Sequence, residues 1–426
     1  MASRNGDDNR YDKTGVRRTT SGGVRNSGSS RPNGSRRSKE DNYEDEYDEP
    51  RKKNAQNNRD VRNASAAGRN GSGKPMSKKA RAKKKRKRII LFLLEIIVLA
   101  VMLVVLWGVT KVEKVGKVDL NESDIAVNSQ VETNVAMKGY RTIALFGVDS
   151  TTGELTKNTR SDTIIIASIN QDTKKVKLVS VYRDTYLNIE DSSYNKCNSA
   201  YAKGGPEEAI NMLNQNLDLH ITDFVTVGFE GLTDVINDLG GVSINVESEE
   251  IPHLNNYQKC IAEDLQTKYT PVTKTGLQML DGLQATGYCR IRYTAGNDFK
   301  RAERQRTVLK AIMDDAKKAS AATITKTAND LFDNKVIYTS LDLSEILSLM
   351  KDVSAYSIEG DDGFPQENMR TTGNIGSKGS CVVPLDLSSN VKWLHSYLFQ
   401  DTDYQPSDVV QKYSAEVKNE TASYLK

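Results

Sequence analysis

"TIIIASINQDTKKVKLVSV", residues 163–181, decides the fold. It holds two runs, 163–169 and 175–181, that are short, rich in β-branched residues and almost continuously apolar. Runs of this kind read as strands buried on both faces, so they predict a sheet covered on each side. Outward from them, "TIALFGV" (142–148), "FVTVGF" (224–229) and "VSINV" (242–246) read as further strands. Between these, "GPEEAINMLNQNL" (205–217) and "FEGLTDVINDLGG" (229–241) have helical spacing with turn glycines alongside. The alternation of strands and helices from Tyr140 onward is the pattern of an α/β domain.

Further along, "LQMLDGLQATGYC" (277–289) reads as helix, "RIRY" (290–293) as strand and "FKRAERQRTVLKAIMDDAKKA" (299–319) as a long helix. Helices over 343–353 and 391–399 are expected to close the same domain, which therefore runs from 140 to 400, with 401–426 as a C-terminal tail.

The N-terminal part is a different kind of polypeptide. Residues 1–88 hold 26 Lys and Arg against 11 Asp and Glu, a net of +15, whereas the remainder has 34 against 45, a net of −11. Between them lies "IILFLLEIIVLAVMLVVLWGVT" (89–110), apolar on all sides except for Glu95. Its length of roughly 33 Å matches a bilayer core of about 30 Å, so a single transmembrane helix is expected. Nine of the eleven residues in "KKARAKKKRKR" (78–88) are basic. Such a cluster stays on the cytoplasmic side, which puts everything after a linker at 111–139 outside the cell. Its position beside the span weighs against nucleic acid as its partner. Residues 1–77 have almost no aliphatic side chains and read as disordered tail. The four cysteines, Cys197, Cys260, Cys289 and Cys381, follow no metal-binding spacing. One or two disulfides and buried free thiols are both compatible with them.

Charge is concentrated in "CRIRYTAGNDFKRAERQR" (289–306). Arg290 and Arg292, two apart in a strand, would share a face, and Asp298 or Asn297 would cap the following helix. Arg301, Arg304 or Gln305, and Val308 recur at helical spacing and form a stripe, whereas Lys300 and Arg306 fall off it and are expected in solvent. A second group stands at strand ends: Asp149, Arg160, Asp162, Arg183 and Asp184. Arginine forks favour phosphate oxygens, and two aspartates beside them suit a hard cation such as Mg²⁺ bridging to phosphate. Simple Asp–Arg pairing would also account for the spacing. There is no Walker loop, and His220, His253 and His395 are scattered, so neither a nucleotide triphosphatase nor a Ser-His-Asp hydrolase is supported.

The run "LFGVDS … TRSDTIIIASIN … KLVSVYRDTYLNI … NKCNSAYAKGG … DLGGVSINV … LDGLQATGYCRIRYTAGNDFKRAERQR" closely resembles the LytR-CpsA-Psr family of bacterial cell-wall enzymes, over roughly residues 140–315. The resemblance implies an extracytoplasmic domain with a central mixed β-sheet flanked by helices. It also implies a phosphotransferase that moves a glycopolymer, such as a teichoic acid or capsular polysaccharide, from an undecaprenyl-pyrophosphate carrier to peptidoglycan. Carried over by motif, Asp149 and Asp162 would hold Mg²⁺. Arg160, Arg183, Arg290, Arg292, Arg301 and Gln305 would grip the pyrophosphate, and the prenyl chain would lie in an apolar pocket between sheet and helices. Asp184 would act as base or orient Arg183, and Asp298 would act as base or cap its helix. The sequence departs from the family in having Tyr182 where proline is usual, and Cys197 and Cys289 at usually aliphatic positions, which read as small buried hydrophobes. A hydrolase using water, and a regulator or scaffold binding anionic polymer, are the other readings of the same residues.

Overall fold

The computed structural model describes residues 122–425 except 151–153, 295 and 335, together with 102, 116–117 and 120. The expected tail (1–88) and span (89–110) lie outside these residues, save for Met102. Among the described residues no helix is long and apolar enough to cross a membrane.

The strands are β1 (Gly116–Lys117), β2 (Tyr140–Val148), β3 (Ser161–Asn170), β4 (Lys175–Val181), β5 (Tyr186–Glu190), β6 (Ser193–Lys196), β7 (Asp223–Val227), β8 (Val242–Val246), β9 (Gly276–Leu280), β10 (Ile337–Thr339), β11 (Ser357–Phe364), β12 (Arg370–Asn374) and β13 (Ser380–Pro384). Seven form a mixed sheet in the order β1-β10-β7-β2-β3-β4-β11, while β5–β6, β8–β9 and β12–β13 form separate two-stranded sheets. The helices are α1 (Ser129–Glu132), α2 (Asn198–Leu217), α3 (Phe229–Asp238), α4 (Glu250–Asp264), α5 (Gly282–Cys289), α6 (Asn297–Ala316), α7 (Ala321–Asp333), α8 (Leu343–Lys351), α9 (Leu387–Phe399) and α10 (Asp408–Thr421).

The continuous apolar runs do what their composition dictates. Ala144, Phe146, Ile164, Ile166 and Val179 point to one face and pack with Leu213 of α2, Leu394 of α9 and Val410 of α10. Their neighbours Ile165, Ala167, Val176 and Leu178 point to the other face, against Leu309 of α6. Alternation by two thus fills both faces of a three-layer domain. A smaller apolar cluster joins α3, α4, α5, α6 and the β8–β9 pair around Ile244, Leu254, Tyr288 and Val308.

Three expectations are corrected. Residues 276–280 are strand, paired with β8, and the helix begins only at Gly282 after Asp281, which makes a capping box with Gln284. Residues 290–293 are not strand: Arg290 closes α5, and the chain turns on the fully buried Ile291. Residues 401–426, expected as a tail, carry α10, whose Val410 and Val417 are buried. That helix is fastened through Asp218, a buried residue at the end of α2 with φ +52°. The Asp218 carboxylate accepts from Asn128 Nδ2 (2.6 Å), Ser407 Oγ (2.7 Å) and Ser407 N–H (2.8 Å), joining three distant parts of the chain.

Gly205 bends α2 with φ +73°, and a Cβ there would stand 2.4 Å from the Thr156 carbonyl oxygen. Only glycine permits both the conformation and the approach. The segment that carries Arg160 lies on this bend, tied by Tyr201 Oη to Leu155 O (2.5 Å) and by Asn158 N–H to Ala202 O (3.2 Å). All four cysteines are free, with Cys197, Cys289 and Cys381 buried and Cys260 exposed.

Candidate functional site

The site forms where β2, β3 and β4 end. β2 and β3 pair regularly until Gly147 faces Thr163; the next pair is Val148 with Ser161, so Asp162 is the extra residue of a bulge. A bulge frees a side chain from the ladder and re-aims it. Asp162 points at three guanidiniums: Arg183 Nη1 donates to Oδ1 at 2.8 Å, while Arg301 Nη2 (2.9 Å) and Arg292 Nη2 (3.1 Å) donate to Oδ2. Burial alone would push its carboxyl up, but Arg301, Arg183 and Arg292 outweigh it and hold the carboxyl below its usual range. Arg301 is 5% exposed, and burial pushes its guanidinium down. Asp162 partly offsets this, and Arg292 and Arg183 oppose the offset as like charges.

Arg183 and Asp184 sit on the turn after β4, which is tied to the β12–β13 hairpin by Val382 N–H donating to Asp184 O (2.9 Å). Asp184 lies between Arg183 Nε (3.6 Å) and Lys196 Nζ (3.2 Å). Arg290 rests over the rings of Phe229 (4.3 Å) and Tyr257 (5.4 Å) and reaches Asp149 at 3.7 Å. Arg160 is exposed on the rim of the same open cavity, of about 510 Å³, which Asp149, Asp162, Arg183, Asp184, Lys196 and Arg292 also line. Gln305 borders the two neighbouring cavities. Every residue expected at the site lines a cavity that Asp162 also lines, and Arg183, Arg292 and Arg301 contact it directly.

The helix α6 departs from expectation in detail. Gly296, with φ +93°, precedes its first residue, and neither Asn297 nor Asp298 caps it. Asp298 faces Arg292 Nε (3.8 Å) and Arg183 Nη2 (3.9 Å), and its Oδ1 has no hydrogen-bond partner. Arg304 is 1% exposed and belongs to the scaffold: Nε bonds Glu250 Oε1 (2.7 Å), while Nη1 and Nη2 bond Ile291 O (3.3 Å) and Thr294 Oγ1 (2.7 Å). Arg306 is not solvated; it is buried against Asp361 Oδ1 (3.1 Å) and Ser180 Oγ (2.8 Å). Lys300 pairs with Glu303 at the surface. Sequence reasoning passed over Lys196, whose only signal was its place at a strand end, and the β12–β13 hairpin, which carries no charge pattern.

Six cations (Arg160, Arg183, Lys196, Arg290, Arg292, Arg301) meet four carboxylates (Asp149, Asp162, Asp184, Asp298), a net charge of +2. Arg183 Nε and Arg301 Nε are buried without a hydrogen-bond partner. Directly behind lies an apolar cavity of about 210 Å³. It is walled by Leu145 and Ile165 of the sheet, Leu232 of α3, and Val308 and Ile312 of α6, with Arg290 and Arg301 at its mouth. Such a site can hold a dianion joined to an apolar tail. As for a divalent ion, Asp149 and Asp162 border one open cavity, and no group of three or more acidic, histidine or cysteine donors occurs among the described residues. Two carboxylates are the number Mg²⁺ commonly takes from a protein, and of these Asp162 already accepts from Arg183, Arg292 and Arg301 through both oxygens.

The LytR_cpsA_psr family matches residues 108–380. The polyisoprenyl-teichoic acid–peptidoglycan teichoic acid transferase TagT of Bacillus subtilis is 29% identical over 230 residues, 52% of this chain and 69% of that protein. The corresponding transferase TagU of Oceanobacillus iheyensis is 33% identical over 217 residues, 49% of this chain and 61% of its own length. Among solved structures, a transcriptional regulator from Enterococcus faecalis is 22% identical. It superposes with a TM-score of 0.51 over 68% of this chain and 98% of that one, a likeness of fold.

Proposed function

The chain belongs to the LytR_cpsA_psr family, and from that premise we propose that it is a phosphotransferase moving a glycopolymer from a polyprenyl-pyrophosphate carrier to peptidoglycan. The observation that carries this reading is the arginine cluster on Asp162 at the mouth of an apolar cavity. A prenyl tail would occupy the cavity, and the pyrophosphate diester, of charge about −2, would meet a site of net +2. The names of the relatives support the substrate class. The carrier is taken to be undecaprenyl pyrophosphate, and the polymer an anionic wall polysaccharide.

In the transfer, a sugar hydroxyl oxygen bonds to the phosphorus that bears the polymer. The bond from that phosphorus to the bridging oxygen breaks, and polyprenyl phosphate leaves with the electron pair. Phosphoryl transfer asks mainly for positioning and charge neutralisation. Arg183, Arg292 and Arg301 supply these from fixed positions, with Arg160 and Arg290 at the sides and Gln305 as a neutral donor. Asp149 and Asp162 would hold Mg²⁺, which when bound adds positive charge toward the same oxygens. Asp184, held by Arg183 and Lys196, orients its arginine. The sequence supports a single-pass anchor at 89–110 with this domain outside the cell, so donor and acceptor would be met at the membrane surface.

The test is to incubate the full chain in detergent with Mg²⁺, a lipid-pyrophosphate-linked oligosaccharide and peptidoglycan. A covalent phosphodiester product that Arg290→Ala abolishes is expected. Release of free oligosaccharide phosphate with no glycan-linked product would replace transfer by hydrolysis.

A further inference from the structure

Three cavities meet at Asp162. The apolar one lies between sheet and α6, and the open one carries Arg160, Lys196 and Arg292. The third, of about 330 Å³, opens between the first turn of α6 and the β12–β13 hairpin. Arg183 and Asp184 border the second and third; Arg301 and Gln305 border the first and third. A transfer from a lipid-linked donor needs three arms around one phosphorus: the lipid that leaves, the polymer that is carried over, and the incoming hydroxyl. The first cavity suits the lipid and the second, with four cations against three carboxylates, suits an anionic polymer.

Resting on the function proposed above, we propose that the third cavity is the acceptor subsite and binds a sugar ring of the glycan acceptor. Its size falls in the range of about 300–1,000 Å³ usual for small-ligand sites. One wall is apolar, built from Phe299, Ala302, Val382 and Tyr182, the Tyr182 and Phe299 rings packing edge to face at 4.7 Å. Arg370 braces that wall from behind, 4.1 Å from the Phe299 centroid. Beside it the lining carries the hydroxyls of Ser380 and of Thr372, the cross-strand partner of Val382, and the amide of Asn297. An apolar patch edged by short hydroxyl and amide groups is what a pyranose, with its C–H face and ring of hydroxyls, can use. With three carboxylates against two guanidiniums, this cavity also disfavours a polyanion.

Arg301 is 5% exposed, lines both this cavity and the apolar one, and its buried Nε has no hydrogen-bond partner. The Asp298 carboxylate lines this cavity with its side chain 45% exposed, while its Oδ1 is buried toward Arg183 and Arg292. It accepts the proton of the attacking hydroxyl as the new oxygen–phosphorus bond forms and polyprenyl phosphate departs.

The test compares the wild-type full chain with Ser380→Trp, which fills the cavity from its rim, using soluble peptidoglycan glycan fragments as acceptor and a fluorescent polyprenyl pyrophosphate as donor probe. The KM for acceptor should rise about tenfold or more while donor affinity stays within about twofold, a separation that isolates one subsite. An unchanged acceptor KM with donor binding retained overturns the proposal. If Ser380→Trp also loses donor binding, Thr372→Val decides: an acceptor KM raised about threefold supports the subsite, and no change rejects it. Asp298→Asn should lower the transfer rate by roughly 10²-fold or more without weakening donor binding, and a wild-type rate would remove the proton-acceptor role. If wild type binds donor but forms no glycan-linked product, the function proposed above fails. Direct binding of glycan fragments to wild type and Ser380→Trp then still reads on this cavity.

Discussion

Asp162 is the residue on which the site turns. It is the sole carboxylate within 3.2 Å of Arg183, Arg292 and Arg301 among the described residues. Removing it leaves guanidiniums facing one another in a poorly solvated place. Asp162→Ala is expected to lower unfolding stability by about 3–5 kcal/mol, as for other broken buried pairs, with activity lost. Urea unfolding of both proteins, with and without added pyrophosphate, checks this: the anion should restore more stability to the variant than it adds to wild type. His395 is a second residue with a distinct consequence. It is fully buried, stacked on Tyr404 at 3.5 Å, with Nε2 on Leu217 O (3.1 Å) and Nδ1 unpartnered. Burial depresses its pKa to about 4. An unfolded histidine protonates near pH 6.5 and the folded one does not, so stability is full above that pH and falls as pH drops toward 4. The total loss is up to roughly 3 kcal/mol. Urea midpoints at pH 7, 6 and 5 should decline in wild type and stay flatter in His395→Phe.

At the scale of elements, the strands were legible because a run such as "TIIIASI" has no amphipathic alternative. The segment after α5 was not. "RIRY" alternates like a strand, yet the alternation comes from one buried anchor, Ile291, between two arginines that turn toward the site. Arg301 was readable as a site residue and Arg306 was not, because the Asp361 that buries Arg306 lies 55 residues away on β11. Arg304 was likewise read as a candidate for the charged stripe, since nothing local identifies Glu250 as its partner. That pair is a fastening between elements. Arg304 ties α4 to α6 and, through Ile291 O and Thr294 Oγ1, holds the segment that carries Arg292. Glu250→Gln should therefore cost about 3–5 kcal/mol and weaken binding of a prenyl pyrophosphate although position 250 never touches it. A variant with wild-type stability and affinity would show that the pair is incidental.

On the scale of the whole molecule, charge asymmetry and the apolar stretch at 89–110 were plain in composition, whereas the meeting of three cavities at one aspartate follows from topology. Nothing in the local sequence of 370–384 announces that it walls a cavity; its place is set by Val382 donating to Asp184 O, 198 positions earlier in the chain. The C-terminal segment is equally silent and equally integral. Deleting 401–426 removes α10 and the Ser407 contacts to Asp218, and it uncovers Leu213 and Leu394. The shortened chain is expected to give no cooperative thermal transition, and a sharp melt matching the full chain would contradict this.

The bonds that Ser407 makes to Asp218 span 189 residues, and this separation bears on how the protein comes into being. At about 5–20 residues per second, a ribosome needs roughly 10–40 s after Asp218 emerges before Ser407 follows. For most of that interval the sheet still lacks β10 and β11, and the apolar face of β2, β3 and β4 has no roof. The nascent domain is therefore open to association through that face until its last two helices arrive, a hazard set by chain order and not by any residue of the site.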